Sequence, residues 1–152
     1  MKILTLAFLF RDNKILLAMK KRKFGVGKWN GYGGKLEDGE TPIEGIVREL
    51  EEESGLVVPK GNFQEIGYMD FYFDDKPEWN QGVVIYRVDE FTGEPKETEE
   101  MKPEWFDLHE IPYHEMWKGD DQWIPKVVEN KKFKGEIHFS NEGENLVSST
   151  IF

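Results

Sequence analysis

Residues 39–56, GETPIEGIVRELEEESGL, decide how this chain reads. Thr41, Pro42 and Glu44 spell a helix start: Thr41 as N-cap, Pro42 at the first helical position, and Glu44 reaching back to complete a capping box. Gly55 supplies the stop, because a left-handed residue suits the end of a helix and glycine adopts that conformation freely. A helix over 42–54 is therefore expected. Within it Ile43, Ile46, Val47 and Leu50 recur at i, i+3, i+4 and i+7, so one stripe faces a core. Glu49, Glu52 and Glu53 recur at i, i+3 and i+4, which gathers three carboxylates on another face, while Glu44 and Glu51 point elsewhere. Like charges so spaced repel by roughly a few tenths of a kcal/mol per pair in water, and by more where a loop covers them. Arg48 can neutralise only one of them. A solvated acidic face is the ordinary reading of such a run. The other reading is a site for a hard divalent ion, Mg²⁺ or Mn²⁺, shared with phosphate oxygens.

The rest of the chain narrows the choice of ligand. A formal charge of -10 over 152 residues argues against a nucleic-acid polymer or an anionic membrane as partner, since both require a basic footprint. A phosphate-bearing small molecule would need a cation as mediator. Five Trp and eleven Phe exclude an acidic disordered tail, which would lack aromatics. The absence of cysteine excludes disulfides, thiol catalysis and Cys-ligated zinc, and is compatible with a cytoplasmic location. The early apolar run ILTLAFLF, residues 3–10, is short and meets Arg11-Asp12-Asn13 instead of a small-residue cleavage site, so it reads as a buried strand. No run has the length of a bilayer span.

Residues 3–10 and 14–20 are expected to pair as an antiparallel hairpin across Arg11-Asp12-Asn13. Residues 21–40, KRKFGVGKWNGYGGKLEDGE, read as a long glycine-rich functional loop. Further strands are expected near 64–73, 82–89, 103–108 and 135–140, with a second helix near 121–132 that contains Pro125. The polar tail after Ser140 is expected to fray. No repeat or boundary divides the chain, so a single domain over 1–152 is expected.

Outward from the helix, the chain shows Gly34, five residues, Glu40, seven residues, then Arg48-Glu49-Leu50-Glu51-Glu52-Glu53-Ser54-Gly55-Leu56. This resembles the Nudix box, GX5EX7REUXEEXGU with U a bulky aliphatic residue, at every defined position, and chance would supply such a match on the order of once in 10⁵ or less. The resemblance implies an α+β fold, an α/β/α sandwich with a mixed sheet between helices, and Mg²⁺-dependent hydrolysis of a diphosphate linked to another group. By position it implies Glu49, Glu52 and Glu53 as metal ligands, one doubling as the base for the attacking water. Arg48 would orient the glutamates, and the Gly33-Gly34 backbone, with Lys35 beside it, would approach metal and phosphates.

FGVGKWNGYGGK at 24–35, EEMKPEWF at 99–106, IPYHEMWKGDDQW at 111–123 and KKF at 131–133 extend the resemblance to the branch of 8-oxo-dGTP diphosphatases, which act on oxidised purine nucleoside triphosphates. It implies Asn30 as a hydrogen-bonding partner of the base, Trp117 as its stacking platform, Asp120 and Asp121 as readers of its edge, and Glu100 as an extra metal ligand or base. Thr5 and Phe24 are implied as pocket residues. Lys20 is the favoured triphosphate contact in the basic run Lys20-Lys21-Arg22-Lys23. The chemistry agrees with these roles: a purine offers a π face to Trp117, and the Asn30 amide can donate and accept. Adjacent Asp120 and Asp121 in one cleft would not both ionise easily, so one could remain a donor.

Two departures from that pattern matter. Lys118-Gly119 stands where similar members carry Pro-Asp, so either the loop adjusts through Gly119, or only Asp120 keeps a family position and Asp121 caps the following helix. Trp79 and Asn80, after Pro77, replace a more aliphatic pocket wall. GVGK at 25–28 lacks the spacing of a P-loop, and His109, His114 and His138 lack a metal-ligand rhythm. The expected activity is splitting of 8-oxo-dGTP into monophosphate and diphosphate by a monomer. The rivals are a Nudix hydrolase of 2-hydroxy-dATP, a methylated purine triphosphate or ADP-ribose, and a non-catalytic binding module. Retention of Arg48 with Glu49, Glu52 and Glu53 speaks against the last.

Overall fold

The computed structural model describes residues 1–152. The first two strands, β1 (Lys2–Arg11) and β2 (Lys14–Lys20), form the expected hairpin, but its loop is only Asp12-Asn13. Both residues have positive φ, 52° and 64°, as a two-residue turn between right-twisted strands requires. The hairpin then opens. Two short strands, β3 (Trp29–Asn30) and β4 (Tyr32–Lys35), lie between its arms, β3 on β2 and β4 on the first half of β1. Residues 21–40 are therefore not a simple loop: residues 29–30 and 32–35 within them are sheet.

The helix α1 (Pro42–Ser54) keeps the expected bounds and its capping box, and Gly55 ends it in the left-handed conformation at φ 78°. Ile46 and Leu50 are fully buried and Ile43 packs beside them, whereas Val47 is only half-buried and stays outside the core. β5 (Phe63–Phe73), β6 (Gln81–Val88) and β7 (Met101–Asp107) follow, with the short 3-10 turn Pro77–Trp79 between β5 and β6. The second helix, α2 (Asp120–Val128), is shorter than expected, because Asn130 turns left-handed at φ 57° and Lys131-Lys132 lead straight into β8 (Phe133–Ser140). The segment after Ser140 does not fray. A tight turn at Asn141–Gly143 returns it as β9 (Asn145–Ile151), antiparallel to β8.

The nine strands make one mixed sheet in which seven run in the order β3-β2-β1-β6-β5-β8-β9, β4 pairs with β1 and β7 with β2, and β1–β6 and β5–β8 are parallel. Side chains alternate across it, as strand geometry demands. Ala7 and Leu9 of β1 join Leu16 and Tyr32 under α1, while Phe8 and Phe10 join Ile15, Leu17 and the α2 residues Trp123, Ile124 and Val127 on the other face. The α+β architecture with a helix on each face is thus as expected. No helix is long and apolar enough to cross a membrane.

Candidate active site

The split hairpin places Gly33 and Gly34 against α1. Gly33 pairs with Leu6 so closely that an added Cβ would lie 1.9 Å from the Thr5 carbonyl oxygen, and one on Gly34 would lie 2.8 Å from the Glu49 carboxylate. The bare backbone lets the Gly33 N–H donate to Glu53 Oε1 at 2.9 Å. Arg48 organises the other acids. Its Nε and Nη2 donate to the two oxygens of Glu40 at 2.7 and 2.9 Å, and its Nη1 donates to Glu49 at 3.0 Å and Glu52 at 3.2 Å. Nη2 also donates to the Lys35 carbonyl, which ties α1 to β4. This paired arrangement holds the Glu40 carboxyl down at about 2.

Glu49 and Glu53 behave oppositely. Burial raises the Glu53 carboxyl to about 8, with the neighbouring Glu49 charge adding to it, and burial also raises Glu49 although Arg48 works against the shift. No basic residue occupies the last turn of α1, so Glu51, Glu52 and Glu53 face the negative end of the helix dipole uncompensated. Glu52 is more than half exposed on the Arg48 side, and the acids do not converge at metal-ligand separation in this structure. The donor set on this face of α1 is nevertheless hard oxygen throughout and crowded, which suits a divalent cation. Across this acidic basin stand Lys20, Lys23, Lys35 and Glu100, the last held below its usual range by the hydrogen-bonded Arg22 guanidinium.

A second, apolar pocket opens beside the basin and shares Leu4, Lys20, Phe24, Gly33 and Gly34 with it. Trp117 and Phe24 form one wall, their rings 5.1 Å apart and tilted by 30°, and Trp79 meets the Phe24 edge at the rim. The turn at Gly143 backs the Trp117 ring, where a Cβ would lie 2.4 Å from it, so the β8–β9 turn buttresses the pocket. Asn30 lines the floor, its Oδ1 accepting the Gly31 N–H at 2.8 Å, which leaves the amide NH₂ to face outward. Thr5 is buried beside it and donates to the Gly34 carbonyl at 3.4 Å.

The two aspartates separate. Asp120 lies in the pocket, 2% exposed, with Oδ1 accepting from Trp123 Nε1 at 3.2 Å and Oδ2 buried without a partner. Asp121 is exposed on the outside of α2 and touches no part of the pocket, so its expected place at the base edge is not what the structure shows. It does not cap the helix either, since Gly119 at φ 91° holds the N-cap position and no side chain bonds there. Helical geometry explains the split: successive residues point about 100° apart, and the Trp123 indole fixes which one turns inward. Tyr32, Gln81, Lys28 and the Asp120–Trp123 bond were not foreseen. Tyr32 follows Gly31 as a fully buried residue whose hydroxyl has no partner, and burial beside Glu53 raises it.

Burial raises the Asp120 carboxyl from 3.8 to about 8, the Trp123 donor opposing only part of this. Below 3.8 the folded and unfolded states are both protonated. Between there and about 8 only the unfolded chain releases the proton, so stability falls as pH rises through that window and levels off above it. Urea midpoints measured from pH 4 to 9 should show a decline of wild type relative to Asp120→Asn, which has nothing to ionise; parallel curves would contradict the assignment.

Comparison with known proteins agrees with this geometry. A sequence profile described as NUDIX domain matches residues 3–127. The chain is 43% identical over 146 residues to an oxidized purine nucleoside triphosphate hydrolase of Danio rerio, covering 96% of this chain and 90% of that one. It is 42% identical over 141 residues to the protein of the same name from Mus musculus, covering 93% and 88%. Its fold superposes on a mutator MutT protein from Bacillus halodurans with a TM-score of 0.85 at 28% identity, covering 99% of this chain and 97% of that one. With Arg48 and its glutamates seated on the capped helix beside Gly33-Gly34, and the profile spanning both helices, the chain belongs to the NUDIX family of hydrolases.

Proposed function

We propose that this protein, as one domain over residues 1–152, hydrolyses oxidised purine nucleoside triphosphates of the 8-oxo-dGTP kind to monophosphate and diphosphate with Mg²⁺, acting as a monomer in the cytoplasm. The observation that carries the reading is the shared wall of Lys20, Gly33 and Gly34, which joins an aromatic pocket with a buried acid to a basin of carboxylates. A nucleotide laid across that wall has its base on one side and its phosphates on the other. The names of the vertebrate relatives support the same substrate class.

In this reading Trp117 stacks on the purine, and Asn30 and Asp120 hydrogen-bond its edge within walls formed by Phe24 and Thr5. Lys20, with Lys23 and Lys35, offsets phosphate charge. Glu49, Glu52 and Glu53 would hold Mg²⁺, or Mn²⁺ in its place, with Glu100 and the Gly33 backbone as further donors. Such an ion would acidify water and offset charge on the departing diphosphate. With Mg²⁺ bound beside it, Glu53 would be held as the carboxylate and could take the proton of the attacking water, aimed by the Gly33 N–H. Arg48 keeps Glu49 and Glu52 in place through an anchor on Glu40.

Purified protein with Mg²⁺ should release diphosphate faster from 8-oxo-dGTP than from dGTP and lose the activity in EDTA. Equal rates would overturn the oxidised-purine assignment, and a panel with 2-hydroxy-dATP, a methylated purine triphosphate and ADP-ribose would identify the alternative. Removing the stacking platform by Trp117→Ala should raise KM about tenfold or more with a smaller change in kcat, as loss of one aromatic-base contact predicts. Steady-state kinetics of that variant check the pocket independently of the acids.

A further inference from the structure

The structure assigns Gln81 as a specificity-determining residue whose side-chain amide hydrogen-bonds the base in the aromatic pocket. The assignment rests on the purine triphosphate reading and adds a contact to it. Gln81 opens β6, and the alternation of that strand puts it on the same face as Val83 and Ile85, which belong to the core cluster under α2. Its backbone is paired on both sides, with Lys2 of β1 and with Phe71 of β5, so the residue is fixed in the sheet. It is 9% exposed and lines the pocket together with Asn30 and Asp120. Among the side-chain hydrogen bonds of the protein none involves its amide, although Asn80, one residue earlier, accepts from the Phe73 N–H at 2.7 Å.

At an inward position in phase with Val83 and Ile85, the Gln81 amide has no protein partner and stands on the pocket lining, open to a ligand there. A cavity ligand supplies the missing partner. The inventory of the pocket shows what Gln81 adds. The Asn30 carbonyl is occupied by Gly31, which leaves a donor, and Asp120 Oδ1 is occupied by Trp123, which leaves one carboxyl oxygen. Gln81 alone presents a free donor and a free acceptor on one planar group. That pair matches a base edge on which an N–H stands next to a carbonyl or ring nitrogen, as it does on purines and on their oxidised lactam forms.

The test is steady-state kinetics of Gln81→Leu and Gln81→Glu on 8-oxo-dGTP, 2-hydroxy-dATP and dGTP with Mg²⁺. Leu should raise KM for the preferred purine about tenfold with kcat within about twofold, the loss expected of one hydrogen bond to a base, and should change the ratio of kcat/KM between the purines. Thermal melting of Gln81→Leu should be equal to or above wild type, because Leu breaks no protein hydrogen bond and adds apolar surface in phase with Val83 and Ile85. Gln81→Glu, which keeps the shape but only accepts, should shift the ratio differently from Leu. Unchanged KM and unchanged ratios in both variants would overturn the Gln81 assignment while leaving the hydrolase reading intact. A wild type that cleaves none of the purines would remove both.

Discussion

Glu53→Gln is expected to lower kcat by at least about 10²-fold, the effect of losing a metal ligand or general base. The fold should survive. Gln is nearly isosteric, its carbonyl still accepts from the Gly33 N–H, and it relieves both the burial of a carboxyl and its repulsion by Glu49. Melting temperature measured without metal should therefore match or exceed that of wild type, so that lost activity is not lost structure. Near-normal diphosphate release by a folded variant would sink the role given to this helix face.

The second large effect belongs to a residue without a side chain. Gly33→Ala places a Cβ 1.9 Å from the Thr5 oxygen and 2.9 Å from the Leu6 Cα, both backbone atoms within a paired strand that cannot swing aside. β4 must separate from β1 at that point, at a cost of about 3 kcal/mol in the range of overpacked sites. The amide that aims Glu53 moves with it, so kcat should fall at least about tenfold even in the fraction that folds. Urea unfolding with parallel kinetics checks both halves; wild-type stability would mean that the β1–β4 contact is looser than described.

Much of the molecule was legible because local signals agreed with one another. In α1 the capping box, the Gly55 stop and two superposed periodicities all lie within 18 residues, so bounds and acid face could be read without tertiary information. β3 and β4 could not be read that way. They are two and four residues long and rich in glycine, and what makes them strands is the vacant edges of β1 and β2, a property of their partners. β9 escaped for a related reason: its residues are mostly exposed, so no alternation marks a buried face. The Asp120-Asp121 pair was visible as chemistry, yet which carboxyl turns inward depended on Trp123, three residues on. Gln81 did carry a signal, a polar residue in phase with Val83 and Ile85, but the phase acquires meaning only once a pocket is known to lie on that face.

The two faces of the sheet have one more consequence. The acids hang from α1 on one side, the residues of the aromatic pocket from strands and α2 on the other, and the segment Trp29–Lys35 is the principal piece serving both. Under the proposed roles, substrate taste can be re-tailored at Gln81, Trp117 or Asp120 while the hydrolytic equipment is left alone. For a protein engineer the chain is a two-socket tool, with one socket for the cut and an exchangeable one for whatever is to be cut.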